Sequence, residues 1–181
     1  AAPFSGARKR TFEGGHGPGL GLIVLPSLPP YEALHPLVVH IPIGVLFVAW
    51  MPMVIGLLDS KRRHTWWACG GGLLAVGTIA CVLAAMTGES AAGIVGSPTQ
   101  VISDAIEYHE ERAERARNLF IATTLVYLAV WFAYAKIKNS RKGMVLIFGS
   151  ALVVITYAAA MIELVNTGHS GGVLVHRHGV F

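Results

Sequence analysis

Four stretches of this chain run for roughly the thickness of a bilayer without an Asp, Glu, Lys or Arg: Val38 to Leu58, Trp66 to Met86, Asn118 to Ala135 and Gly143 to Ile162. A helix rises ~1.5 Å per residue and a hydrocarbon core is ~30 Å thick, so each stretch predicts one transmembrane helix. Polar clusters punctuate them: Asp59 to His64 after the first and Lys136 to Lys142 between the last two. Pro42 and Pro52 fall inside the first stretch, which predicts a kinked helix whose freed carbonyls find partners on a neighbour. The middle loop, Glu89 to Arg117, divides in two. Gly93 to Thr99 is turn-rich, whereas from Val101 onward Glu, His and Arg recur at three- and four-residue steps, with Ser103 placed as an N-cap. The third helix is therefore expected to begin near Ser103 and to protrude from the membrane by several turns.

The predicted fold is all-α, an integral-membrane four-helix bundle over residues 31–175. Residues 1–30 form a Gly- and Pro-rich extended tail whose one apolar patch, LGLIVL, is too small for a core, so another subunit is expected to hold it. Residues 176–181 read as a short tail carrying His176 and His178. The sequence opens on Ala1, as trimming of a methionine or removal of a targeting segment would leave it.

Composition agrees with a lipid environment. Of 181 residues 54% are apolar and only 13% charged, too few to cover a water-exposed globule. Cys69 and Cys81 both lie in apolar spans without CxxC spacing, which excludes a disulfide framework, a zinc ribbon and covalently attached c-type haem. No phosphate-binding loop, no usable Ser-His-Asp set and no basic-aromatic nucleic-acid surface is present. Seven of the fourteen Lys and Arg residues sit in the two tight loops, so the positive-inside rule puts those loops in the cytoplasm and both termini on the other side. The expected location is a bacterial inner membrane, or an organelle's.

The second span carries small residues in two rows, Ala80, Ala84, Gly88 and Gly77, Cys81, Ala85, after Gly70 to Gly72. Such faces allow close helix approach within the chain or to other subunits. The second span closes on TGESAAG and the fourth on TGHSGGV, and Arg62 to Thr87 and Lys142 to Thr167 are each 25 positions. Two parallel two-helix repeats would give this spacing, with His35 or His40 corresponding to His109.

The histidines supply the candidate chemistry. His35 and His40 frame the head of the first helix, His109 lies on the protruding third, and His169, His176 and His178 follow the fourth span. In an up-down-up-down bundle these segments converge at one end. Imidazole ligates haem iron, zinc and copper, and an ionisable ring at a lipid boundary must be paired or ligated. His40 and His109 begin helices that face one another, so they are expected in one ligand cluster, with His35 and His169 as further candidates. Arg112 and Arg115 are placed to meet haem propionates. Glu163, a turn before Thr167, is set to pair with Arg112 or Arg115, or to bond an imidazole or a quinol.

The opening HPLVVHIPIG from His35, the TG closing the second span, His109 heading a helix and the TGHSGGVLV ending resemble an uncharacterised bacterial family of four-helix membrane proteins. The resemblance covers roughly Leu34 to Val175 and marks His35, His40, His109, Gly168, Gly171 and Gly172. Some relatives look fused to c-type cytochrome domains, which implies redox traffic at the outer face. The leading expectation is a redox-complex subunit, respiratory or photosynthetic, that binds haem b and exchanges electrons with a quinone or a partner subunit. The alternatives are a cofactor-free accessory subunit and a zinc or copper site at the same histidines with Glu89 or Glu110.

Overall fold

The expected spans form four long helices in a computed structural model, which describes residues 29–180: α1 (His35–Leu58), α2 (Arg63–Ala92), α3 (Gln100–Lys136) and α4 (Asn139–His178). All four are long and apolar enough to cross a membrane. α1 packs along α2, α3 along α4, and α2 against α3, giving two hairpins side by side. Except for its last two residues, the tail 1–30 lies outside the described residues, and so does its expected partner contact.

Large apolar side chains such as Phe47, Ile79, Leu125 and Ile155 point outward around the bundle, while Leu46, Leu74 and Phe120 are wholly buried. Lipid tails are as apolar as these side chains, so helix association there rests on close packing and interhelical hydrogen bonds. Both are present. Tyr127 donates its hydroxyl to the Trp67 carbonyl at 2.7 Å, and Tyr157 donates to that of Leu46. Thr124 gives its proton to the Phe120 carbonyl, so its oxygen accepts from Thr78 at 2.8 Å. The glycines of α2 set the spacing. A Cβ on Gly70 would lie 2.7 Å from Met53 Cγ, one on Gly71 2.7 Å from a Tyr127 ring carbon, and one on Gly77 2.5 Å from Leu46, whereas Gly72 faces open space.

α1 is broken at Val39, between His35–Val38 and His40–Leu58. Pro42 lacks the N–H that would bond the Val38 carbonyl, which puts the break there rather than at Pro52. The neighbour's donor, Tyr157, reaches Leu46, a carbonyl that neither proline frees.

Helix ends differ from the sequence expectation. α2 continues past Met86 to Ala92, α3 starts at Gln100 ahead of Ser103, and α4 runs beyond Ile162, through the glycine pair at 171 and 172, to His178. Glycine lowers helix propensity by only about 1 kcal/mol, and packing against the protruding α3 outweighs it. α4 stops at Gly179, whose φ of 63° is the left-handed cap. His176 and His178 therefore belong to a helix and not to a tail. Near its start, α4 contains one π turn, Val145–Gly149, beside which a Cβ on Gly149 would meet Val130 at 2.7 Å.

At the basic end Arg63 works as a latch. Its guanidinium donates to the last-turn carbonyls of Gly56 and Leu57 and, at 3.0 Å, to the Tyr134 hydroxyl of α3. The partly exposed Asp59 accepts from the Lys61 and Arg62 amides and from the Trp66 indole, and the Arg62 amide first of all holds its carboxyl below the usual range. That support for the turn is present above the ordinary carboxylate range and fades as pH falls through the depressed value. Arg63→Ala leaves carbonyls without their donors and is expected to lower stability by about 1–3 kcal/mol, with Arg63→Lys intermediate. Thermal unfolding in detergent checks this, and a wild-type midpoint in Arg63→Ala would refute the latch.

Candidate functional site

At the opposite end, the head of α1, the end of α2, the protruding part of α3 and the last third of α4 line an open-mouthed cavity of about 720 Å³. Its walls are smooth because α2 contributes Ala84, Ala85 and Gly88, and α4 contributes Gly168, Gly171 and Gly172. His35, His40 and His109 all line it.

Each of two imidazoles lies on a glycine. A Cβ on Gly88 would come within 2.9 Å of the His35 ring, and one on Gly171 within 3.1 Å of the His109 ring. His35 Nδ1 is 3.0 Å from the Ala84 carbonyl, which can only accept, so Nδ1 carries the proton. Thr87, whose hydroxyl donates to the Leu83 and Ala84 carbonyls, adds its oxygen at 3.3 Å. His109 Nδ1 is 2.9 Å from Ser170 Oγ, and Ser170 gives its own proton to the Thr167 carbonyl. His40 turns back to donate from Nδ1 to the Pro36 carbonyl at 2.6 Å. All three rings thus spend Nδ1–H on an oxygen, leaving Nε2 as the nitrogen free to ligate. The two half-sites resemble each other but are offset. His35 docks at the glycine after Thr87, whereas His109 docks one turn beyond the equivalent Gly168.

The rings brought together are His35 and His109, with centroids 6.4 Å apart and planes at 81°. His40 shares the cavity with them but is exposed and bonded within α1. His169 is exposed and does not line the cavity, while His176, one further histidine of α4, does. Arg112 donates from Nη1 to both Glu163 carboxylate oxygens at 3.0 and 3.1 Å and lies over the Tyr108 ring, its buried Nε has no partner among the described residues, and neither it nor Arg115 lines the cavity where propionates were expected to meet them. Arg115 is engaged by Glu111. Glu89, Glu107 and Glu110 crowd the mouth and make no ion pair among the described residues. Nor do three or more His, Cys, Asp or Glu there converge as a metal-binding group.

A second cavity of about 220 Å³ lies in the basic half, walled by Trp50, Trp67, Trp131, Tyr127 and Tyr157. Both tyrosine hydroxyls already donate to backbone carbonyls, so it suits a hydrocarbon chain better than a quinone head that needs donors.

Ser170, Thr87 and the Ala84 carbonyl were not singled out by the sequence as partners of the histidines. The signal was present in the repeated Thr-Gly-x-Ser motif, whose hydroxyls sit opposite the rings. Residues 31–181 match the sequence model of a family described as predicted membrane protein (DUF2231). No curated protein and no solved structure matches the chain.

Proposed function

The chain belongs to this family of predicted membrane proteins, and from that premise we propose that it is the membrane subunit of a redox complex in which His35 and His109 hold haem b for electron transfer. The observation that carries this reading is the 6.4 Å between the ring centres. At that spacing, in the wall of one smooth cavity, His35 and His109 are the residues that would hold the iron through Nε2. Held there by His35 and His109, haem b would supply a one-electron couple. The chain's own groups do the rest. The Ala84 carbonyl and Ser170 orient the imidazoles, and the glycine and alanine walls leave room for a flat group. Arg117 is the arginine that lines the cavity, since Arg112 is taken up by Glu163. With the basic turns in the cytoplasm, the histidine end faces the outside of a bacterial inner membrane, where a quinone or a partner subunit exchanges electrons.

A second reading is favoured by the carboxylates of Glu89, Glu107 and Glu110, which suit a bare cation better than propionates. Copper accepts imidazole ligands, whereas a structural zinc site takes four. Titrating the detergent-purified protein with haemin and, separately, with copper decides. A low-spin bis-imidazole spectrum, oxidised and reduced, supports haem; one equivalent of copper without haem uptake supports the second reading. Neither leaves a cofactor-free accessory subunit.

A further inference from the structure

We propose that Ser170 is the positioning residue that fixes His109 with its proton on Nδ1, an inference that rests on His109 as a ligand through Nε2. A serine hydroxyl can donate or accept. Here the Thr167 carbonyl, 2.9 Å away, takes the Ser170 proton, so toward His109 the oxygen can only accept. His109 must then present Nδ1–H, and Nε2 keeps its lone pair. Ser170 is 6% exposed, so water does not compete for that bond.

The two halves of the chain solve this problem differently. Ser90 is the counterpart of Ser170 in the first motif, but its hydroxyl goes to the Met86 carbonyl, and His35 bonds the Ala84 carbonyl instead. A peptide carbonyl cannot be removed by a side-chain substitution. The Ser170 oxygen can, although the Thr167 carbonyl also lies within reach of the His109 ring. Ser170 is therefore the position at which one substitution releases the tautomer of one ligand and leaves the other untouched.

The test uses the full chain in detergent micelles, with 15N-labelled histidine, without cofactor and at about pH 8, above the ordinary imidazole range. His109 signals, assigned by their absence in His109→Asn, should show Nδ1 protonated and Nε2 bare in the wild type. Ser170→Ala should move the population toward Nε2–H, Ser170→Thr should restore it, and Thr87→Val should leave His35 unchanged. Circular dichroism confirms that each variant is folded. Unchanged His109 signals in Ser170→Ala, with the ring bonded straight to the Thr167 carbonyl, would overturn the proposal. A parallel haemin titration separates it from the functional reading. Ser170→Ala should bind about 10–100-fold more weakly than wild type, and equal affinity would overturn the positioning role. No uptake by the wild type would remove the haem reading while leaving the tautomer result standing.

Discussion

Replacing either His35 or His109 by alanine should abolish the low-spin spectrum of the haem-loaded protein, and replacing both should do no more than replacing one. Two ligands of one iron would act as a unit, so their losses would not be additive. Neither substitution should unfold the bundle, because the groups left behind keep partners: Thr87 donates to the Leu83 and Ala84 carbonyls, and Ser170 to that of Thr167. The comparison with His40→Ala and His169→Ala is the informative one. His40 lines the same cavity and His169 points elsewhere, so both variants should retain the low-spin spectrum. Loss of the spectrum in His40→Ala with retention in His35→Ala would mean that His40 and not His35 is the partner of His109.

Gly70→Leu should destabilise the bundle far more than the same change at Gly72. A Cβ there would lie 3.2 Å from the backbone nitrogen of Met53 as well as 2.7 Å from its side chain, so the α1 backbone itself has to move. Overpacking of this kind costs about 1–3 kcal/mol in soluble cores, and lipid supplies no hydrophobic force to close the pair again. Gly72→Leu, two positions away and facing open space, should be close to neutral. Thermal unfolding of the two variants in one detergent compares them directly, and equal midpoints would mean that close approach at Gly70 does not hold α1 on α2.

The spans were legible because a charge-free run of bilayer length has few other readings. Helix ends were not, because hydropathy marks where lipid ends, and the hydrogen-bonded ladder of α4 continues well past that point to Gly179. The same limit applied to the site. Convergence of the histidines at one end follows from the alternation of helices, but the choice of His35 over His40 depends on how the break at Val39 turns the head of α1. His169 and Ser170 are neighbours in sequence and ~100° apart around their helix, so one is exposed and the other meets His109.

The π turn at Val145–Gly149 gives the spacing between the basic loop and the histidine end a meaning that hydropathy does not register. A π turn holds one residue more than the α turn it replaces, so it can give that residue up without turning the helix beyond it. Deleting one residue there would leave α4 just as apolar and just as able to span. The segment would close as a plain α turn with Ser170 still on His109 and Glu163 still on Arg112, whereas the same deletion in the α-helical stretch between Ser150 and Glu163 would turn both away by about 100°. The π turn thus takes up a change of chain length that, further along α4, would take the site at the far end of the bundle apart.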